Sequence, residues 1–316
     1  MNKTLLYLLA ALILGGAAWW TLNRNQQKST INKLDLNFGI PDTASISKII
    51  ITSSETGKNE LERKLEGFWI MNGKHKVAPY LMELLLTTIR NVEMQRPLAE
   101  NEAKTVNEDL KTRFKKVEIF IKGEPYKTYL VGDDAPENLG TYFRFEEGDP
   151  YVCHLRGFTG FLSPRYNIVE NDWRDKILFQ STPQTLQSVE VKYFASPIDN
   201  FKISFSGKHF QVDGTSRFDT VAAAGFLLKF KKIYLERYLK GFSKKISDSL
   251  LSLSPEWSID LVDIDPARSH VLNLYPTNDE DRSMAYLPIT KEWISIQNPG
   301  LSPLKIKRRD LMSKNQ

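Results

Sequence analysis

The chain has 316 residues, 41% of them hydrophobic and 26% charged, with 43 basic against 38 acidic side chains and a formal net charge of +5. That is the composition of an ordinary globular protein with room for about two domains, and it excludes a disordered polymer. The two signs are mixed along the length, so no nucleic-acid partner is expected, and the single cysteine excludes an internal disulfide.

Residues 4–23 carry no charge. Their apolar core, which includes Leu5 and Leu14, makes a helix about 27 Å long, close to the thickness of a bilayer interior. Trp19 and Trp20 fall at one end, where aromatic rings favour the membrane interface, and Arg24 and Lys28 follow in water. This predicts a transmembrane signal-anchor over 1–23. The competing reading is a cleaved signal peptide, with Lys3 as its charged start and Gly15, Gly16, Ala17 and Ala18 as small residues for a peptidase. Both readings send the rest of the chain across a membrane. A polar tether is expected over 24–45.

From there the pattern is α+β. The β-branched run Ile46, Ile49, Ile50, Ile51 and the segments 60–65 and 68–71 predict short strands that end at the turn Asn72-Gly73. Val77, Tyr80, Leu81, Leu84, Leu85, Thr88, Ile89 and Val92 then recur at three- and four-residue steps, one apolar stripe on a helix whose first turn accepts Pro79. After a polar segment, strands return at 117–121, 126–131, 141–145 and 150–155, separated by short turns that favour antiparallel hairpins over parallel crossovers. A short helical or irregular piece at 158–162 follows.

The same course then repeats. Trp69, Asn72, Gly73, Val77, Leu85, Ile89 and Val92 have counterparts 141 residues later in Phe210, Asp213, Gly214, Phe218, Phe226, Phe230 and Ile233. Strands are expected at 188–193, 201–205, 209–212, 257–262, 270–275, 283–288 and 293–297, with Asp219 available to cap the second helix. A period this long exceeds a solenoid unit, so each copy should hold its own core. The expected organisation is two tandem homologous domains of antiparallel sheet with one main helix each, over 46–179 and 180–316.

The Trp69-Ile70 strand and Asn72-Gly73 turn, Val77-Ala78 before the Leu-rich helix, Thr141-Tyr142-Phe143-Arg144, Pro150-Tyr151-Val152, and Asn171-Asp172-Trp173-Arg174-Asp175-Lys176 resemble a bacterial family of membrane-anchored envelope proteins whose domain has no assigned function. Some of its members resemble companions of the membrane-anchored auxiliary component of gliding-type ABC transport systems. The resemblance implies the bacterial inner membrane, soluble domains in the periplasm, and an assembly or scaffold role. It departs from the family at Pro79, where relatives tend to carry an acid.

Catalytic and metal-ligand signatures are absent from the residue pattern. His75, His154, His209 and His270 never fall at a spacing that brings two onto one ligand face, and no Gly-x-Ser-x-Gly elbow or Walker sequence occurs. Cys153 sits in an apolar strand-like run and is expected to be buried. Asp133-Asp134, Asp263 with Asp265, and 278–282 are expected as solvated turns, and Lys305, Lys307, Arg308 and Arg309 as a solvated terminal strand or tail, with contact to anionic lipid, cell-wall polymer or nucleic acid as the alternative. Trp173, Arg174, Asp175 and Lys176, at the junction of the copies, are candidates either for locking one domain against the other or for binding a partner. The expectation is therefore a non-enzymatic envelope protein without cofactor that presents its sheets to a protein partner, with a binding module for cell-wall glycan or another polymer as the alternative.

Overall fold

The computed structural model describes residues 37–313, Lys208 excepted. The expected anchor, with Leu5, Leu14, Trp19 and Trp20, and most of the expected tether lie outside the described residues. Among the described residues no helix is long and apolar enough to cross a membrane. The chain divides into two units, the first ending at Trp173 and the second beginning at Arg174.

The first unit contains β1 (Ile46–Ser53), β2 (Gly57–Arg63), β3 (Trp69–Met71), β4 (His75–Lys76), α1 (Pro79–Asn91), β5 (Val92–Pro97), α2 (Glu100–Asp109), β6 (Lys115–Ile121), β7 (Glu124–Asp134), β8 (Thr141–Phe145), β9 (Tyr151–Leu155) and α3 (Glu170–Trp173). Its nine strands form one sheet in the order β4-β3-β2-β1-β6-β7-β8-β9-β5, every neighbouring pair antiparallel. Asn72 and Gly73 adopt positive φ of 52° and 67°, the left-handed pair that a tight hairpin requires. Pro79 occupies the first turn of α1, where its missing N–H is no loss.

The helix joins the two edges of the sheet, because β4 precedes it and β5 follows it. Thirteen residues of α1 span about 20 Å, whereas nine strands laid flat would span about 38 Å. The sheet must therefore curl around the helix. Met82, Leu85 and Ile89 are buried against Ile49, Ile51, Leu61, Val117 and Ile119, and each such side chain contributes about 1.5–3 kcal/mol by burial.

The second unit contains β10 (Ile177–Phe179), β11 (Leu186–Tyr193), β12 (Phe201–Ser206), β13 (His209–Val212), α4 (Thr220–Leu228), β14 (Ile233–Tyr234), β15 (Arg237–Tyr238), α5 (Lys244–Leu251), β16 (Trp257–Asp263), β17 (His270–Tyr275), β18 (Arg282–Leu287), β19 (Glu292–Gln297) and α6 (Asn298–Leu301). The eight-stranded sheet runs β13-β12-β11-β16-β17-β18-β19-β15, and β10 pairs with β14 separately. As expected, the Asp219 carboxylate caps α4 by accepting from the N–H groups of Val221 and Ala222.

Strand for strand, this is the order of the first unit without its outermost two-residue strand. Finer features repeat too. A β-bulge interrupts β1 against β6 between Ile46 and Lys48, and another interrupts β11 against β16 between Leu186 and Ser188. Ile40 N–H donates to the Ile89 carbonyl in one unit and Ser181 N–H to that of Phe230 in the other, both at 2.9 Å.

Several expectations need correction. Residues 37–45 are not tether: Phe38 and Ile40 are fully buried, and the Phe38 ring stacks on Phe145 at 4.2 Å. The Lys127 ammonium donates to the carbonyls of Asn37 and Gly39, which fastens this segment to β7. The boundary lies after Trp173 rather than Phe179, because Ile177–Phe179 pairs with Ile233–Tyr234 and Phe179 belongs to the second core. The helical stripe stops short of Val92 and Ile233, which are extended and begin β5 and β14. The polar segments that follow carry α2 and α5. Asp263 is buried rather than solvated, and the basic C-terminal stretch packs through Leu304 and Leu311 while Lys305 pairs with Glu256 and Lys307 with Asp199.

Candidate functional site

The junction residues are placed as follows. Trp173 is 5% exposed within the first core, its Nε1 donating to the Asn167 carbonyl at 3.1 Å. Arg174 is 7% exposed in the second unit, where its guanidinium donates to both carboxylate oxygens of Glu292 at 2.7 and 2.9 Å and lies 3.4 Å from the centre of the Tyr238 ring. Tyr238 Oη donates to the Asp175 carbonyl, and Leu235 N–H donates to that of Lys176. These contacts organise the start of the second unit. They use a bidentate fork that lysine would not supply.

Interior polar groups also serve the fold. In the first unit Asp134 accepts from Thr141 at 2.7 Å and from Ser163 at 2.9 Å, fixing the segment after β9. Tyr129 and Tyr166 share a 3.2 Å hydroxyl contact in the core beside Cys153, and burial pushes both phenols and the thiol upward, so all three stay neutral. A second polar chain links Asn59, Asn72, Glu170 and His75, with Asn72 Nδ2 donating to Asn59 at 3.2 Å and to Glu170 at 2.9 Å. In the second unit burial raises Asp263, but the Thr185 hydroxyl at 2.7 Å and the Asp265 N–H at 2.9 Å donate to it, and with nearby Ser181 and the Arg268 charge they hold the carboxyl below its usual range. Among the described residues no group of three or more His, Cys, Asp or Glu could hold a metal ion.

One surface feature differs in kind. Between α1 and the β2–β3 hairpin of the first unit lies an open groove of about 540 Å³. Trp69, Met82 and Leu86 supply its apolar part, and Arg63 and Arg90 supply charge. Arg63 pairs across the strands with Trp69, and its guanidinium sits 4.8 Å from the centre of the indole. Its Nη2 donates to the Thr43 carbonyl at 2.8 Å, while Arg90 Nη2 donates to Thr43 Oγ1 at 2.7 Å. Two guanidinium groups thus converge on one threonine.

Neither arginine forms an ion pair among the described residues. Asp42, the carboxylate whose charge reaches Arg63, is engaged in capping the 3-10 turn at Thr43–Ser45. Burial lowers the Arg63 guanidinium from its usual value, and its buried Nε meets no acceptor. The matching strand pair of the second unit differs among the described residues. Phe205 pairs with Phe210 where Arg63 pairs with Trp69, and those two rings pack at 5.2 Å.

Arg63 and Arg90 belong to no motif in the residue pattern. They are 27 positions apart in unremarkable contexts, and only the register of β2 on β3 and the winding of α1 bring them together. Comparison of the chain with protein-family models, with curated proteins and with solved structures finds no match.

Proposed function

We propose that this chain is a non-enzymatic envelope protein of the bacterial inner membrane, tethered by residues 4–23, whose two modules arose by duplication and act as a binding scaffold for a membrane protein partner of a transport assembly. The observation that carries this reading is the pairing of one repeated interior with divergent surfaces. Strand order, bulge position and the hydrogen bond that seats the helix recur in both units. The outer faces recur only in part: Tyr80 of α1 and Val221 of α4 are both exposed apolar side chains, but a basic aromatic groove borders α1, and exposed Leu228 of α4 stands 141 residues after Thr87. Duplicated folds keep the packing that each core needs, and surface positions are free to acquire different contacts.

The test is fractionation of bacteria producing the tagged full chain, followed by cross-linking in intact cells. The reading expects the uncleaved protein in membranes after alkaline extraction, cross-linked in constant ratio to membrane-embedded transporter subunits. Release of a processed chain together with retention on isolated wall polymer would replace it by the glycan-binding alternative.

A further inference from the structure

We propose that the groove between α1 and the β2–β3 hairpin of the first unit is a binding site for a small amphiphilic oxyanion, a carboxylate or phosphate head carrying a short apolar arm, with Arg63 and Arg90 holding the head and Trp69, Met82 and Leu86 receiving the arm. This assignment concerns the first unit alone and stands independently of the tether and of any protein partner.

The volume of about 540 Å³ is that of a small-ligand site. A guanidinium is a planar fork of five N–H donors whose geometry matches the paired oxygens of carboxylate or phosphate. The bonds to Thr43 engage one nitrogen of each fork and leave the Arg63 Nε without an acceptor. Partial burial makes the Arg63 cation costly, the charge of Asp42 offsets only part of that cost, and an oxyanion held between the two guanidinium groups supplies more negative charge. Thr43 fixes both side chains before a ligand arrives, so less rotamer freedom is lost on binding. The two carboxylates of the lining, Glu66 and Glu83, are exposed and form no ion pair with either arginine among the described residues. The duplication provides an internal contrast. A guanidinium needed only to cover the indole could be replaced by an apolar side chain, which is what Phe205 does over Phe210 in the second unit.

The test is calorimetric titration of the full-length protein in nonionic detergent with hexanoate, hexyl phosphate, hexanol and inorganic phosphate. Hexanoate and hexyl phosphate should bind with one site per chain, and hexanol and inorganic phosphate about tenfold more weakly or worse, since each lacks one half of the recognition. The Arg63→Gln, Arg90→Gln double variant should lose about tenfold or more in affinity for both amphiphiles. Lys231→Gln, at the position in the second unit that corresponds to Arg90, should bind as the wild type does. Should the double variant fail to fold, Arg90→Gln alone is the readout, because Arg90 is exposed at the end of α1. Equal binding of hexanol and hexanoate would overturn the proposal, as would unchanged affinity in the folded arginine variants.

Discussion

The backbone N–H of Ala78, at the head of α1, donates to the carbonyl of Trp173 at 2.8 Å, so the last residue of the first unit seats its main helix. Asp219 N–H donates to the Leu311 carbonyl at 2.9 Å in the same way. Each closing residue is also a buried core side chain. Trp173→Ala should therefore destabilise the first unit by about 3–5 kcal/mol and Leu311→Ala the second by about 2–5 kcal/mol. Denaturant titration followed by circular dichroism measures both, and a loss below about 1 kcal/mol in either variant contradicts the closing role.

Gly140 has φ of 134°, and a Cβ placed there would collide with the carbonyl oxygen of Cys153 on the neighbouring strand. Backbone strain and steric overlap act together, and the obstacle is main chain rather than a side chain that can swing away. Gly140→Ala should cost more than the roughly 1–3 kcal/mol of an unfavourable backbone conformation alone. Gly148→Ala is the control, having φ of 127° but open space around the added methyl. Equal melting temperatures for the two variants would remove the steric part of this argument.

Local chemistry was legible in the residue order, and long-range pairing was not. The turn at Asn72-Gly73, Pro79 in the first turn of α1 and the Asp219 cap each depend on residues within a few positions, and each is found where the pattern places it. The spacing of 141 residues relates Ile89 to Phe230, whose carbonyls accept equivalent hydrogen bonds, while the bulges recur at a spacing of 140. Phe38 and Ile40 fall within the expected tether because Asn37-Phe-Gly-Ile-Pro-Asp has no periodicity. Their burial comes from Lys127 and from a cluster of rings on β7, β8 and β9. Strand β5 was hidden for a similar reason, since it pairs with β9 across more than fifty residues of intervening chain. Arg63 and Arg90 join the same class: their meeting at Thr43 is a property of register.

Cys153 is fully buried, and desolvation pushes its thiol well above the ordinary range. Only thiolate reacts with disulfide reagents at appreciable rate. The native protein should release no thionitrobenzoate from Ellman's reagent over minutes at pH 8, and one equivalent per chain once denaturant unfolds the first unit. Prompt labelling of the native protein would mean that the β8–β9 region opens on the timescale of the assay.

Acid should weaken the second unit through His270. Burial beside the Phe179 ring, 6.2 Å away, lowers this imidazole from its usual value, so the folded chain binds the proton less tightly than the unfolded chain. The sign follows from linkage. Stability from keeping His270 neutral is complete above the unfolded histidine value of about 6.5, and is lost as pH falls through it toward the lower folded value. Depressed carboxylates such as Asp263 act at lower pH, below the ordinary carboxylate range, where their contribution is lost in wild type and variant alike. Melting temperatures recorded from pH 7.5 to 5 should therefore fall more steeply for the wild type than for His270→Phe. Parallel profiles would show that the imidazole takes up its proton equally well in the folded and unfolded chains.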